Sequence, residues 1–355
     1  MEALDVTQGT ACYVHIPFCK AKCPYCDFYS LRLCKDAIMR DYIKACCDAL
    51  SRQTFWWKTL YIGGGTPSAL PPALLGQLLR TAVPRCVPGA EVTMECNPGS
   101  VTKALCETLA AGGVNRVSLG VQSVVPRERR ALGRTGDPNG IVQSLKWLDE
   151  AGIKNVSLDV MLGVPWQTQK SLAETLAFCA RHAVHVSAYL LKIEAGTRFA
   201  AHPPEGLPDE DALADLYLFC CEWLEAHGFA QYEVSNFAKP GAMSQHNLHY
   251  WRCGAYFAVG PAAHGFTQGR RWHYARDLDA FLRGEPPIDD GPGGDFDERA
   301  MLALRLREGI WAPSAEMLTR AKQLPGLVVA DEKGLRLTRE GFLLSNSVIG
   351  KLLYG

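Results

Sequence analysis

From Cys12 to about Tyr189, short β-branched and apolar runs alternate with longer amphipathic stretches, and no other feature of the chain narrows its fold as much. This is the rhythm of βα units, in which each strand is followed by a helix that carries the chain back to the start of the next parallel strand. Six strands are predicted, at Cys12–Ile16, Thr59–Ile62, Glu91–Glu95, Asn115–Leu119, Asn155–Val160 and Val184–Leu190. Helices are predicted between them at Asp36–Arg52, Pro72–Thr81, Lys103–Ala111, Gly140–Ala151 and Gln169–Arg181, several of them followed by Gly. Parallel units of this kind either stay open as a doubly wound sheet or curl into a barrel, and periodicity alone does not choose.

With 355 residues and 48% hydrophobic content, the chain has room for one large domain and a smaller one around a real core. Lys plus Arg and Asp plus Glu are 37 each, so there is no electrostatic reason to expect nucleic acid or an anionic membrane as the main partner. The opening residues MEALDVTQGT lack the marks of a secretion signal or transit peptide. No apolar run approaches the roughly 20 residues that span a bilayer. A cytoplasmic protein is expected, and its 14 cysteines are then reduced thiols rather than a disulfide framework. Cys46, Cys47, Cys86, Cys106, Cys179, Cys220, Cys221 and Cys253 stand in apolar or helical surroundings and read as small core hydrophobes.

Cys19, Cys23 and Cys26 are different, because they form a CxxxCxxC at the tip of the first predicted strand. Three thiolates satisfy three irons of a cubane [4Fe–4S] cluster and leave the fourth open to a small molecule, whereas a structural zinc needs a fourth ligand nearby. Phe28 has no lone pair to offer, and Cys34 lies outside the spacing. The other polar candidates also sit at the C-terminal ends of strands, where parallel α/β folds build their sites. Gly63–Pro67 reads GGGTP, whose glycines admit a ligand close to the backbone while Thr66 offers a hydroxyl; alone, it reads as a plain βα turn. Glu95 stands in ECNP, Gln122 in GVQS, Arg134 after a loop and Asp159 in SLDVMLGVPWQT.

With Tyr13, His15, Pro17 and Tyr25 around the three cysteines, this stretch resembles the cluster loop of radical S-adenosylmethionine (SAM) enzymes. The branch is that of oxygen-independent coproporphyrinogen oxidase and its relative HemW. The resemblance implies an α/β fold with a partial (β/α)6 barrel and a smaller C-terminal α+β domain, a [4Fe–4S] cluster on Cys19, Cys23 and Cys26, and SAM. It implies that Tyr13, Tyr25, Gly65, Thr66, Glu95, Gln122, Arg134 and Asp159 line the cofactor pocket, with the glycine-rich turn at the SAM amino group. An electron passed through the cluster to the sulfonium then yields methionine and a 5′-deoxyadenosyl radical.

The oxidases of this branch carry CxxxCxxCxC, and Phe28 breaks that pattern here. HemW lacks the fourth cysteine and carries HNxxYW, a motif associated with haem, which stands intact as His246, Asn247, Tyr250 and Trp251. The resemblance therefore implies a haem chaperone with His246 as axial ligand, His249 and His264 being alternatives. Its partners would be haem-acceptor proteins, respiratory haem proteins among them, and a reduced donor such as flavodoxin or ferredoxin. The alternatives are an oxidase that decarboxylates porphyrinogen propionates and radical SAM catalysis on another substrate.

The alternation ends near Lys192–Arg198, and Pro203, Pro204, Gly206 and Pro208 follow, which divides the chain into residues 1–206 and 207–355. Beyond lie a capped helix at Asp209–His227, a strand at Gln231–Phe237, a loop at Asp289–Asp295, a helix at Asp297–Leu306 and a small terminal unit from Leu335.

Overall fold

The computed structural model describes residues 9–33, 35–134 and 138–355; Cys34 and nearly all of the opening segment MEALDVTQGT lie outside the described residues. All six predicted parallel strands form, as β1 (Thr10–Ile16), β2 (Trp57–Gly64), β3 (Cys86–Cys96), β4 (Arg116–Gln122), β5 (Asn155–Leu162) and β6 (His185–Leu190). Each pairs in parallel with the next, giving the partial (β/α)6 barrel that the resemblance implies. The returning helices are α1 (Asp36–Ser51), α2 (Pro72–Ala82), α3 (Lys103–Ala111), a short α4 (Pro126–Ala131), α5 (Pro138–Glu150) and α6 (Gln169–His182).

Local chemistry accounts for where the helices start. Thr102 caps α3 by accepting from Leu105 N–H, and Thr168 and Ser171 form a reciprocal capping box on α6. In α1 the buried residues Met39, Tyr42, Ile43, Cys46 and Leu50 recur at helical spacing and face the sheet. The strands answer with Leu60, Ile62, Val92, Met94, Val117, Leu119, Leu158 and Val160, all in one core. Their alternate residues turn the other way, into the barrel, and are polar: Tyr61, Thr93, Glu95, Arg116, Ser118, Ser157, Asp159 and Ser187. Six of the eight cysteines read as core residues are buried, Cys46, Cys179, Cys220 and Cys221 fully so, whereas Cys86 and Cys253 are only partly buried; all thirteen described cysteines are unpaired.

Past residue 206 the chain adds α7 (Glu210–Ala226), β7 (Ala230–Gln231), β8 (Asn236–Ala238), α8 (Gln245–Trp251), β9 (Tyr256–Val259), β10 (His264–Thr267), β11 (Arg270–His273) and β12 (Ile288–Pro292). Asp209 caps α7 through Ala212 N–H at 2.8 Å. Hydrogen bonding in the sheet runs across residue 206, because β8 joins β6 antiparallel and β9 joins β1 parallel. The sheet thus reads β12-β11-β10-β9-β1-β2-β3-β4-β5-β6-β8-β7. A separate hairpin, Val328–Asp331 with Gly334–Leu337, packs with the terminal helices.

Two expectations need correction. The single strand expected at Gln231–Phe237 is the two arms of a tight hairpin, because Glu233 folds back to accept Ser235 N–H at 3.2 Å. The loop expected at Asp289–Asp295 begins as strand β12. Gly and Pro there are tolerated because β12 is an edge strand whose outer backbone groups need no partner strand, and a bulge opposite Arg271 and Trp272 absorbs the irregular register.

Trp57 on β2 is fully buried and stacks on Phe257 of β9 at 6.0 Å and 11°, joining the two strands that flank β1. Truncating it removes the ring that ties the C-terminal segment to the barrel. Trp57→Ala should lower unfolding stability by about 3–5 kcal/mol, measured by chemical denaturation of the full chain. A loss below about 1 kcal/mol would show that this contact is not a main tie.

Candidate cofactor site at the mouth of the barrel

After β1 the chain runs along the turn that follows β2. Gly65 N–H donates to Ile16 C=O and Thr66 N–H to Phe18 C=O, both at 2.8 Å, so backbone pairing continues past the strands. Cys19 is thereby brought against Thr66, whose hydroxyl lies 3.3 Å from its Sγ. Only glycine fits at the contact, since a Cβ on Gly65 would stand 2.8 Å from Ile16 O and 3.1 Å from Cys19 Sγ. The rest of the loop is tied at several points. Phe199 N–H donates to Pro24 C=O at 3.0 Å, Lys20 Nζ to Gly99 C=O at 3.2 Å, Arg276 to Asp27 C=O at 2.9 Å, and Leu278 N–H to the Tyr29 hydroxyl at 2.9 Å. Burial pushes the Cys26 thiol up, with the neighbouring Cys23 and Cys19 adding to the rise. The three free thiols stand on one short loop, and this donor set fits three corners of a cubane cluster.

Beside the loop, most of the predicted polar residues come together. Arg134 Nη2 donates to the Tyr25 hydroxyl at 3.1 Å, while its buried Nε and Nη1 have no protein partner. Glu95 accepts from the Tyr61 hydroxyl at 2.8 Å and from Gly64 N–H at 3.0 Å. Burial raises its carboxyl to about 7 against the pull of Tyr61, and Asp159 adds to the rise. Asp159 takes the Ser118 hydroxyl at 2.8 Å and is likewise held up by burial, with Ser118 and Arg116 opposing. Gln122, in the left-handed region at φ 65°, accepts from the Tyr189 hydroxyl at 3.2 Å. Tyr13 turns to His15, with hydroxyl to Nδ1 at 3.0 Å, and His15 Nε2 meets Tyr29 C=O at 2.8 Å. A Cβ on Gly63 would meet the Glu95 carboxyl at 2.9 Å, so the turn and the acid leave a narrow cradle. Orphan guanidinium donors, two buried acids and a glycine cradle suit a ligand that carries a carboxylate, an ammonium and hydroxyls.

Sequence reasoning missed Tyr61, Ser118 and Tyr189, which hold the chosen residues in place. The signal was available: Tyr61 and Ser118 stand two residues before Gly63 and Gly120 on their strands, a spacing that returns each side chain to the same face.

His246 lies elsewhere. Its helix α8 closes the lower end of the barrel, where Glu91 of β3 accepts from Gln245 N–H and His246 N–H, both at 3.0 Å. The imidazole is 1% exposed, with Nδ1 at 2.8 Å from Thr59 Oγ1 and Nε2 unpartnered. It stacks on Tyr61 at 5.0 Å and meets Tyr250 edge-on at 4.5 Å, and burial lowers it to about 3. The orphan Nε2 is the right donor for haem iron, but in this conformation the enclosure leaves no room for a macrocycle. His249 Nε2 is committed to Ala255 C=O at 2.7 Å, whereas His264 is exposed on β10. Phe28, which replaces the oxidases' fourth cysteine, is 65% exposed.

Cys19→Ala, Cys23→Ala or Cys26→Ala should each lower iron and acid-labile sulfide together in the reconstituted protein. Gly65→Ala should lower them as well, because its methyl presses on Ile16 O and Cys19 Sγ, while Gly140→Ala, with open space around it, should not. Equal cluster content in the Gly65 and Gly140 variants would mean that the backbone contact does not shape the loop.

Residues 13–179 match the radical SAM superfamily. The chain is similar to heme chaperone HemW of Escherichia coli (strain K12), 39% identical over 270 residues covering 73% of this chain and 71% of that one. It is similar to heme chaperone HemW of Bacillus subtilis (strain 168), 33% identical and covering 96% of this chain and 98% of that one. Among solved structures, coproporphyrinogen III oxidase (HemN) from Escherichia coli, a radical SAM enzyme, superposes with a TM-score of 0.83 over 98% of this chain and 90% of that one. At 21% identity that likeness is one of fold. No helix among the described residues is long and apolar enough to cross a membrane.

Proposed function

Because the chain belongs to the HemW family of the radical SAM superfamily, we propose that it is a haem chaperone that carries a [4Fe–4S] cluster and SAM and passes haem to acceptor proteins. The observation that carries this reading is similarity over nearly the whole chain to proteins named heme chaperone HemW. Phe28 at the place of the oxidases' fourth cysteine favours it over the decarboxylase.

Cys19, Cys23 and Cys26 would hold the cluster, and when bound it supplies an electron to the SAM sulfonium. The chain's own part is positioning. Gly63–Thr66 and Glu95 would receive the ammonium, the free donors of Arg134 would receive an anionic group, and Asp159 and Gln122 would receive hydroxyls. Tyr13 and Tyr25 wall the pocket, and Tyr61, Ser118 and Tyr189 fix the orientation of the acceptors. Haem on His246 would require α8 to lift from Glu91, which would expose the enclosed Nε2. The natural partners on this reading are haem-acceptor proteins and a reduced donor such as flavodoxin or ferredoxin.

Glu95 makes SAM binding depend on pH. Its folded pKa of about 7 lies above the ordinary carboxyl value, so in the free protein it stays protonated up to near neutrality, and its burial costs stability as pH rises toward that value. An ammonium beside it favours the charged form, so binding below about pH 7 expels a proton. SAM affinity, measured by calorimetry from about pH 6 to about pH 8, should rise with pH and level off, and Glu95→Gln should flatten the profile. A pH profile unchanged by that substitution would remove Glu95 from the ammonium site.

Haem titration with a coproporphyrinogen assay tests the chaperone reading. The cluster-loaded, SAM-supplied protein should bind haem and transfer it to an apo-acceptor, with no turnover of coproporphyrinogen III. His246→Ala should weaken haem ligation about tenfold or more, ~1.4 kcal/mol, and stop transfer while the cluster persists. Sustained decarboxylation by the unaltered chain would overturn the reading in favour of the oxidase. Unchanged ligation in the variant would move the axial nitrogen to His249 or His264.

A further inference from the structure

On the far wing of the sheet three metal-binding side chains converge that the cofactor site does not use. His264 of β10 and His273 of β11 are direct cross-strand partners, with rings stacked at 5.1 Å and 25°. Asp290 of β12 reaches them, its two carboxylate oxygens 2.8 and 2.9 Å from His273 Nδ1. One ligand atom from each residue lies within 4.8 Å of the other two, the one such trio among the described residues. We propose that His264, His273 and Asp290 form a mononuclear site for a divalent transition-metal ion.

Backbone geometry prepares the trio. Facing positions of a β-ladder hold the two imidazoles without long flexible stems. The bulge between Arg271 and Trp272 shifts the register of β12, and Gly291 at φ 99° turns the chain just after Asp290. The neighbouring acid, Asp289, is taken up by Arg270 and by Gly291 N–H at 3.0 Å, which leaves Asp290 to the histidines. The two nearby cations are engaged elsewhere: Arg271 pairs with Glu298 at 2.8 Å, and Arg276 donates to Asp27 C=O at 2.9 Å.

The donor set also selects its ligand. Two imidazoles and one carboxylate suit Zn2+, Fe2+, Co2+ or Ni2+, whereas Mg2+ and Ca2+ take all-oxygen sets. Bonds of about 2.0–2.1 Å place tetrahedral ligands about 3.3 Å apart, which these side chains reach by small rotamer changes. Haem iron takes protein ligands on opposite faces of its macrocycle, so three converging donors fit a bare ion better. The site is independent of the chaperone reading.

Co2+ is the probe, titrated into the full chain carrying Cys19→Ser, Cys23→Ser and Cys26→Ser so that cluster thiolates cannot compete. One equivalent should bind, with visible d–d bands of nitrogen and oxygen ligation and no sulfur charge transfer. His264→Ala or His273→Ala in that background should weaken binding at least about 30-fold, and Asp290→Ala about tenfold, with the circular dichroism unchanged. Equilibrium dialysis of Zn2+ against the cluster-loaded protein, with and without His264→Ala and His273→Ala together, decides the matter if the triple serine variant does not fold. The unaltered chain should then hold one more zinc than the double variant. Failure to bind one equivalent, or equal binding after both histidines are removed, overturns the assignment; haem binding that survives their removal leaves the chaperone reading intact.

Discussion

Two backbone hydrogen bonds, from Gly65 to Ile16 and from Thr66 to Phe18, extend the pairing of β1 and β2 beyond their last regular residues. The cysteine loop is therefore a continuation of the sheet rather than an appendage to it. An isolated loop with three thiols would lose much conformational entropy on ordering around a cluster, and here the sheet meets much of that cost in advance. The same contact explains the glycines: two backbones lie so close that no side chain fits between them, and the one hydroxyl admitted, that of Thr66, points at a sulfur.

Below the mouth, the barrel interior is polar where most cores are apolar, and it is stable because its groups satisfy one another. Ser157 links His185 and Ser187, His185 reaches the Tyr232 hydroxyl, and Glu91 caps α8 beside the buried Arg116. Buried polar groups without partners are costly, so such a lining persists only as a network. Among the described residues the exceptions include Thr93 Oγ1 and Arg116 Nε inside the barrel. Arg134 and His246 also keep unpartnered nitrogens, one at the mouth and one at the floor, and Tyr61 stands between them with its ring on His246 and its hydroxyl on Glu95.

Much of this was legible in the sequence. Strand and helix positions agree with the structure to within a few residues because period-two and period-3.6 patterns survive wherever one face is buried. That Glu95, Gln122, Arg134 and Asp159 gather at one end of the sheet was legible because they stand at or just after strand ends, where parallel folds keep their polar groups. Their supporting residues were not, since a serine or tyrosine inside a strand gives no local sign of which acid it will meet. HNxxYW discloses a donor type and, in Tyr250, one neighbour, but the enclosure of His246 by Thr59 and Tyr61 comes from a strand far away in the chain. The edge strand Ile288–Pro292 escaped because glycine and proline weaken local signals at the position where a sheet tolerates them.

The pairing of β9 with β1 brings residues 256–259 beside residues 11–14. A chain emerging from the ribosome thus makes its first strand early and waits for most of its length before that strand gains its second neighbour. Until then one edge of β1 is an open template for stray pairing, and contacts of such long sequence separation form slowly. The ties from Arg276 and Leu278 to the cysteine loop arrive later still. A nascent chain therefore presents its three thiols on a loop that still lacks its outer wall, and iron loaded at that stage would be held where oxygen and water reach it most easily. The order of synthesis favours completing the sheet first and loading any cluster afterwards.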